Sequence, residues 1–478
     1  MTLRVAARKI GAWSNFPVHD CFALRPEKLS ELRELPASGR FPDYISRGMG
    51  SGYGDAGINQ SSGVILHERL GRFLDFDPAT GILHAEGGAC FADVIKYFLP
   101  RGWFLPVTPG TKFVSVGGAI AADVHGKNHH LDGSLGNFVQ SIELLTGTGE
   151  VLHCSREENA DAFWATIGGM GLTGAILSAR IQLRKVESGY INVRYQKAAD
   201  LDEALALFAA SDQDHRFSVA WIDCLASGKS FGRSVLMRGD HAPAAGLAGR
   251  AAAAPLTPPA KRRRGVPFFM PSFTLNQWSV KAFNTAFYWR HGDRSALVDY
   301  DSYFYPLDSI ANWNRMYGRR GYLQYQVVFP KRTARAGLVD LLGKLVASRR
   351  ASFLAVLKAM GPESGGLLSF PTPGYTLALD LPYSGPDVLD FLRHLDQDVL
   401  RHDGRIYLAK DTCMLPETFS RMYPNLEKFR EIKRRLDPHN RFASSQSKRL
   451  GIMDDAGRAS QSNRNDSESA NAELAGAA

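Results

Sequence analysis

The chain has 478 residues, of which 44% are hydrophobic and 22% are charged, and this balance excludes a protein that is disordered throughout. Lys and Arg exceed Asp and Glu by nine, but the excess is spread along the chain, so solvated surfaces explain it better than nucleic-acid binding. The five cysteines lie far apart and form no Cys-x-x-Cys pair, so the sequence predicts neither a disulfide framework nor a metal site.

The N-terminus lacks the apolar stretch of a secretory signal, and no apolar run is long enough to span a bilayer. The cysteine usage fits a reducing compartment. The sequence therefore predicts a cytoplasmic protein whose contact with a membrane, at the inner face, is peripheral.

A glycine-rich loop occupies residues 47–55, with the sequence Arg47-Gly-Met-Gly-Ser-Gly-Tyr-Gly-Asp55. Its four glycines permit positive φ and leave the backbone open to a ligand, so that successive N–H groups can converge on an anion. The spacing does not match the dinucleotide fingerprint G-x-G-x-x-G, and no helical periodicity follows it. The loop therefore predicts an anion site and argues against a Rossmann domain.

Short strands and helices alternate after the loop and predict an α+β fold. The predicted strands are 64–66, 73–76, 82–86, 103–105, 142–145, 151–152 and 175–183, and a helix is predicted at 92–99. Small residues at 117–122 allow close backbone approach, and Asp123, His125 and Lys127 are the first polar side chains beyond them. A large planar ligand can lie against such a stretch.

The second half of the chain is also mixed. It has predicted helices at 201–208 and 386–402 and predicted strands at 217–222, 322–329 and 374–381. Alternation along the strand 322–329 places Gln324 and Gln326 on one face. If these amides are buried they need hydrogen-bond partners, and sugar hydroxyls would serve.

Several motifs stand in an order that is similar to one group of flavoenzymes. They are the loop 47–55, Gly117-Gly118 with His125-Gly-Lys-Asn-His-His130, Phe163-Trp-Ala-Thr-x-Gly-Gly-x-Gly-Leu-Thr-Gly174, Tyr407-x-Ala-Lys-Asp411 and Asp437-Pro-x-x-x-Phe-Ala-Ser444. On these motifs the chain, from about residue 10 to 452, resembles the vanillyl-alcohol-oxidase superfamily with its PCMH-type FAD-binding domain. Within that superfamily it resembles the decaprenylphosphoryl-β-D-ribose 2′-oxidase family.

The resemblance implies a two-lobed FAD-binding domain at 1–188 and a substrate domain at 189–405, with a mixed or antiparallel sheet and flanking helices. Residues 406–452 would return to the FAD-binding domain. Residues from 453 to 478, rich in Ser, Asn, Ala and Gly, are predicted to form a disordered tail.

The resemblance also implies FAD. His125 occupies a region where some superfamily members attach flavin covalently, but the resembled oxidases do not, so non-covalent FAD is expected. The implied cofactor contacts are Ser46, Arg47, Gly48, Met49, Gly50, Ser51, Gly52, Tyr53, Gly54, Asp55, Ala56, Gly110, Ser115, Val116, Gly117, Gly118, Ala122, Asp123, Val124, His125, Ile176 and Tyr407.

The implied reaction oxidises the 2′-hydroxyl of a polyprenylphosphoryl pentose to a ketone, as the first half of an epimerisation to the arabinose form used in cell-wall arabinan synthesis. A partner reductase would complete the epimerisation. The implied substrate contacts are Lys127, Gln324, Gln326, Lys358, Thr376, Ala378 and Lys410. The catalytic candidates are Lys410, His125, Lys127 and Tyr53, and the base is either Lys410 or a water held by His125 and Lys127.

Two other functions stay open at this point. One is an oxidase of a soluble sugar, of the aldonolactone type, and the other is a non-redox binding subunit that keeps the fold. Reducibility of the bound flavin separates the second from an enzyme.

Residues 239–266 differ in composition from the rest of the chain. They are rich in Ala, Gly and Pro and contain Lys261-Arg-Arg-Arg264, which is followed by Pro267-Phe-Phe-Met-Pro271. The composition predicts a mobile basic loop. Basic residues beside Phe268 and Phe269 are also typical of a lid or of a peripheral membrane contact, and the two interpretations are compatible.

The sequence departs from the family pattern on the substrate side. A cysteine that lies beside the flavin in many members is Ala378 here, and Thr376 replaces an asparagine. Phe304 replaces an aromatic residue that carries a hydroxyl. These changes leave the flavin-binding motifs intact.

Overall fold

The computed structural model of the chain describes residues 4–453, apart from 212, 260, 272, 273, 275, 349 and 351–353. Residues 454–478, which form almost all of the predicted tail, lie outside the described residues.

Two sheets and a short strand pair form the part of the chain before residue 189. The first sheet has the order β1-β2-β4-β3, in which β1 and β2 are antiparallel and β2, β4 and β3 are parallel. The second has the antiparallel order β5-β6-β10-β8-β9, and β7 pairs with β11. The strands are β1 (Val5–Gly11), β2 (Val18–Leu24), β3 (Tyr44–Arg47), β4 (Gly63–Leu66), β5 (Phe73–Asp77), β6 (Ile82–Glu86), β7 (Trp103–Phe104), β8 (Val139–Leu145), β9 (Val151–Ser155), β10 (Ala175–Gln182) and β11 (Arg184–Lys185).

The helices of this part are short. They are α1 (Leu29–Arg33), α2 (Phe91–Phe98), α3 (Val116–Ala121), α4 (His129–Asp132) and α5 (Ala160–Thr166). The run of small residues predicted only to allow close approach forms α3, because the Ser115 hydroxyl caps it by accepting from the Gly118 amide at 3.2 Å. Close approach is also present: a Cβ on Gly117 would lie 3.0 Å from the Gly87 carbonyl oxygen.

The middle of the chain forms one antiparallel sheet of eight strands, in the order β16-β12-β14-β13-β19-β20-β18-β21, while β15 and β17 pair separately. Its strands lie between residues 190 and 406, and the α+β class is confirmed. The strands are β12 (Tyr190–Ala198), β13 (Phe217–Ile222), β14 (Ser234–His241), β15 (Arg264–Gly265), β16 (Arg294–Asp299), β17 (Ile310–Ala311), β18 (Tyr322–Pro330), β19 (Ala355–Met360), β20 (Gly374–Pro382) and β21 (Arg405–Ile406).

Helices cover this sheet. They are α6 (Leu201–Ser211), α7 (Gly249–Ala253), α8 (Gln277–Arg290), α9 (Tyr300–Phe304), α10 (Ala334–Ser348) and α11 (Pro386–Arg401), followed by α12 (Pro416–Met422), α13 (Leu426–Leu436) and α14 (Ser445–Arg449). The segment 239–266, predicted as a loop, includes the end of β14 and all of α7. None of the helices in the described ranges has the length and apolar character needed to cross a bilayer.

The two faces of the large sheet have different partners. Tyr325 on one face donates from its hydroxyl to Asp396 of α11 at 2.8 Å, and Phe329 lies against α10 at Gly337. Gln324 and Gln326 lie on the opposite face, as the alternation of a strand requires. That face meets the flavin-binding motifs of the first part of the chain.

Candidate active site

The glycine loop leaves β3 with its backbone donors free. Among hydrogen bonds between described residues, the amides of Gly48, Met49, Gly50, Ser51 and Gly52 have no protein acceptor. Five successive N–H groups of this kind form a site that can bind an anion such as a pyrophosphate.

Neighbouring atoms explain why the loop needs glycine at particular positions. A Cβ on Gly48 would lie 1.8 Å from the Ser115 hydroxyl oxygen, and a Cβ on Gly54 would lie 1.9 Å from the Asp411 carbonyl oxygen. At Gly52, by contrast, the nearest atom would be 4.0 Å away. The loop is therefore held tightly at its ends and is open at Gly52.

Charged side chains next to the loop fix its shape. The Arg47 guanidinium donates to the carbonyl oxygens of Gly11 at 2.7 Å and Gly57 at 3.0 Å, so this side chain holds protein backbone. Arg449 of α14 donates to Asp55 and to Asp411, each at 2.8 Å. Asp55 and Arg449 are 394 positions apart in sequence, and no local motif pointed to their pairing.

The segment after α3 is anchored by Asp123. Its carboxylate accepts from the hydroxyls of Ser134 and Ser369 at 2.8 Å and from the Gly136 amide at 2.9 Å. The next anchor is Tyr407, whose hydroxyl donates to the Ala122 carbonyl oxygen at 2.7 Å. Asp123 thus has a role in loop geometry, and its contacts hold Val124 and His125 in place.

His125 is the point at which the two parts of the molecule meet. Its Nε2 lies 2.8 Å from Nε2 of Gln326, which also donates to the Thr376 hydroxyl at 3.1 Å. Because the amide is the donor, the imidazole Nε2 accepts and the ring proton sits on Nδ1. Burial and the charge of Lys358 hold the pKa of His125 well below its usual value, so the ring is neutral. Nδ1 has no partner among the described residues.

Cross-strand register places the predicted substrate contacts on one face. Gln326 is opposite Ala378, and Thr376 lies between Val328 and Lys358 on the neighbouring strands. Since directly opposite residues of antiparallel strands share a face, these side chains border the same space as His125.

Asp380 is a site residue that sequence reasoning missed. Gln324 donates to its carboxylate at 2.6 Å and the Tyr317 hydroxyl donates at 3.2 Å. Burial raises its pKa to about 6, against the lowering effects of the Gln324 hydrogen bond and of Lys410. The alternation Thr376, Ala378, Asp380 along β20 was the available signal.

Three lysines surround this space. Lys410 lies with Nζ 3.7 Å from the centre of the Tyr53 ring, and Lys127 donates to the Tyr303 carbonyl oxygen. Burial lowers the pKa of Lys127 and of Lys410 to about 7 and that of Lys358 to about 8. Each side chain keeps some solvent exposure, as expected for groups that border a cavity.

These residues fit FAD. The free amides of the loop match a pyrophosphate, and the backbone beside Gly110 is open, since a Cβ there would meet no atom within 4 Å. Three backbone segments lie close together beside the site. A Cβ on Gly87 would lie 2.2 Å from the Ile176 carbonyl oxygen, and a Cβ on Gly117 would lie 3.0 Å from the Gly87 carbonyl oxygen. The rings of His125 and Tyr407, whose centres are 5.1 Å apart, form a flat wall, and the Nδ1 of His125 has no partner among the described residues.

Comparison with known proteins agrees with this geometry. Residues 27–155 match the model of an FAD binding domain, and residues 379–450 match that of D-arabinono-1,4-lactone oxidase. Decaprenylphosphoryl-beta-D-ribose oxidase of Mycolicibacterium smegmatis is 36% identical over 86% of this chain and 89% of its own length. An uncharacterized protein of Streptomyces coelicolor is 34% identical over 74% of the chain and 97% of its own length.

A more distant relative covers only part of the molecule. Bovine L-gulonolactone oxidase is 29% identical over 33% of this chain and 36% of its own length. The predicted flavoenzyme class is confirmed: the protein is an oxidoreductase with FAD as its cofactor. The chain belongs to the family of the decaprenylphosphoryl-β-D-ribose oxidases.

Proposed function

We propose that the enzyme oxidises the 2′-hydroxyl of a polyprenylphosphoryl pentose to the 2′-ketone. The observation that carries this proposal is the set of three lysines, Lys127, Lys358 and Lys410, around the face that bears Gln326 and Asp380. Such a cluster needs an anion, and a phosphodiester on the sugar supplies one.

The charges of the site are unbalanced without a ligand. The charge of Lys358 lowers the pKa values of Lys127 and Lys410, and among the described carboxylates Asp380 raises the pKa of Lys410. Buried ammonium groups are costly unless an opposite charge pairs with them. A phosphodiester can pair with more than one of these lysines, and a neutral sugar lactone with none.

The amides next to the lysines suit a pentose. The Gln324 amide donates to Asp380 and the Gln326 amide donates to Thr376, and each side chain also carries a carbonyl oxygen of the kind that accepts from a hydroxyl. A sugar with several adjacent hydroxyls satisfies such groups, whereas a hydrocarbon leaves them unpaired.

We assign to Lys410 the role of the base that accepts the proton of the reacting hydroxyl. Bound FAD supplies the acceptor for the hydride, so the protein must remove the hydroxyl proton and hold the sugar. Burial keeps the pKa of Lys410 at about 7, so at neutral pH a large share of the amine is free to accept. Lys127 has a similarly lowered pKa of about 7, but its amine already donates to the Tyr303 carbonyl oxygen. A water held by His125 and Lys127 is the second candidate for the base.

The relative from Mycolicibacterium supports the choice of sugar and lipid, since its name is that of an oxidase of decaprenylphosphoryl-β-D-ribose. On this proposal the ketone is the first product of an epimerisation to the arabinose form used in glycan synthesis. A partner reductase would complete the epimerisation.

An aldonolactone-type oxidase is the second candidate, and the match of residues 379–450 to D-arabinono-1,4-lactone oxidase favours it. That region contains Lys410 and Tyr407 but neither Lys127 nor Lys358. A lactone oxidase therefore accounts for the segment that returns to the FAD-binding domain, and it gives no role to Lys127 and Lys358.

Anaerobic mixing tests the proposal. We expect a short-chain polyprenylphosphoryl ribose to bleach the flavin absorbance, and we expect free ribose and L-gulono-1,4-lactone to leave it oxidised. Equal reduction by the lactone would contradict the proposal and favour the second candidate.

A further inference from the structure

Helix α8 carries an exposed aromatic face. Its inner side is fixed to the sheet, because Asn284 donates to Asp223 at 2.7 Å and the ring centres of Phe287 and Trp221 are 4.6 Å apart. Its outer side shows Trp278 with 76% of its surface exposed and Trp289 with 68%. Eleven residues bring a helix back to nearly the same side, so the two indoles face the same way about 16 Å apart.

The exposed aromatics of the described chain are concentrated here. Every exposed Trp or Phe side chain among the described residues belongs to one stretch, and they are Phe268, Trp278, Phe283 and Trp289. We name these four residues, with the exposed cations Arg262, Arg264, Lys281 and Arg290, the α8 surface. A folded monomer does not need such a set, since scattered apolar residues are normal but a cluster marks a contact.

Lys and Arg occur throughout the chain, but the stretch that holds the α8 surface has no acidic residue to balance them. Residues 261–290 contain six Lys and Arg and no Asp or Glu, a local net charge of +6 against +9 for the whole chain. Arg262 and Arg264 are exposed and make no ion pair with a described residue. Tryptophans beside free cations match the interface of an anionic bilayer, where indoles sit among head groups that the cations attract.

The α8 surface is continuous with the candidate active site. Trp221, which supports α8, stands in a cross-strand row with Val356, Ala378 and Gln326. Three strand spacings separate Trp221 from Gln326, which is about 14 Å.

A second connection runs through the basic segment. The Met270 amide donates to the Arg315 carbonyl oxygen at 2.9 Å, and Tyr317, two residues later, donates to Asp380 in the site. The aromatic and basic residues therefore surround the side of the sheet on which the substrate would enter.

We propose that the α8 surface docks on an anionic phospholipid bilayer, with Trp278, Trp289 and Phe268 inserted among the head groups. This fits the proposed lipid-linked substrate, whose hydrocarbon chain would stay in the bilayer while its sugar enters the site. Docking itself does not require that substrate, so its test is independent of the flavin chemistry.

Vesicle co-sedimentation of the FAD-loaded protein tests the proposal. We expect binding to vesicles that contain phosphatidylglycerol and little binding to phosphatidylcholine alone. The double variant Trp278→Ser, Trp289→Ser should bind about tenfold more weakly, or worse, because two indoles lose their burial. Each of Arg262→Ala and Arg264→Ala should weaken binding about fivefold at low salt.

Matched controls lie on other surfaces. Tyr97→Ser removes an aromatic ring that is 48% exposed on α2, and Lys428→Ala removes an exposed cation on α13. Both should bind vesicles as the wild type does, and all variants should keep bound flavin and the wild-type melting temperature. Failure of the wild type to bind anionic vesicles, or equal loss in Tyr97→Ser, would overturn the proposal. So would a dimer that Trp278→Ser dissociates, because a second copy would then cover this face.

Discussion

The glycine loop and the face of the large sheet recognise ligands in different ways. The loop offers the five amides of residues 48–52, which have no acceptor among the described residues, so its recognition comes from the backbone. The sheet face offers the side chains of Lys358, Thr376 and Asp380, and its recognition changes whenever a residue changes.

The difference explains where this chain departs from its family. Ala378 and Thr376 lie on the sheet face, whereas the glycine loop keeps its motif. In a site formed by backbone amides, a change of backbone shape weakens ligand binding, whereas a substitution whose side chain points away from the ligand has little effect. A side-chain site can be altered one residue at a time. We therefore expect variants of the loop to act on cofactor retention and variants of the sheet face to act on the substrate.

The largest effect should follow Gly54→Ala. The new methyl group would lie 1.9 Å from the Asp411 carbonyl oxygen, so the loop must move and its amides lose their alignment. We expect the purified variant to be colourless and inactive. Gly343→Ala in α10, where the new methyl group would meet no atom within 4 Å, is the matched control and should stay yellow.

Flavin content after acid precipitation provides the measurement for both glycine variants. Wild-type flavin should appear in the supernatant, as expected for non-covalent FAD. If Gly54→Ala retained a full complement of FAD, recognition by the loop backbone would be contradicted.

Lys410→Ala should keep FAD and lose the reaction. Removal of a group that acts on the reacting oxygen typically costs about 10²-fold or more in rate. The cofactor should stay because its contacts lie mainly in backbone far from this side chain. Single-turnover flavin reduction, compared at equal flavin content, is the measurement. A wild-type rate would return Lys410 to a structural role.

The pH dependence should separate the proton acceptor from the anion site. Burial lowers the pKa of Lys410 to about 7, so the rate at saturating substrate should fall about tenfold per pH unit below 7 as the amine becomes protonated. Lys358, with a pKa of about 8, loses its charge as the pH rises, so substrate binding should weaken above pH 8. Stopped-flow reduction from pH 5 to 9 measures both limbs, and a limiting rate that rises toward low pH would rule out an amine base.

Ala378→Cys should have the smallest effect on turnover and a clear effect on labelling. Inhibitors that capture the flavin-adjacent cysteine of related oxidases need a thiol, and the position opposite Gln326 offers a methyl group. We expect no thiol adduct at the site in the wild type and an adduct in the variant. Peptide mass spectrometry decides between them, and an adduct in wild type would show that residues 374–381 do not lie beside the flavin.

Much of this architecture could be predicted from local patterns. Alternation placed Gln324 and Gln326 on one face of β18, and the strands predicted at 73–76 and 82–86 form the hairpin of β5 and β6. The helix α3 was not predicted, because its small residues carry no apolar periodicity and its stability comes from a cap and from packing on Gly87.

Pairs of distant residues could not be predicted. His125 and Gln326 are 201 positions apart, and the contact exists only because β18 and the segment after α3 meet. Arg449 reaches Asp55 from the other end of the chain, where an isolated arginine has no distinguishing pattern. The resemblance to a family supplied the expected site residues, and the contacts of the fold show which of them lie together.

The central claim is that the lysines around the sheet face, of which Lys358 lies on the sheet itself, bind the phosphate of the substrate. The most direct measurement is the dissociation constant, from the substrate dependence of anaerobic flavin reduction, of Lys358→Met for a polyprenylphosphoryl ribose and for the same riboside without phosphate. Loss of one charge-assisted contact should weaken binding of the phosphorylated substrate about tenfold or more and leave that of the neutral one unchanged. An equal loss for both compounds, or none for either, would contradict the account.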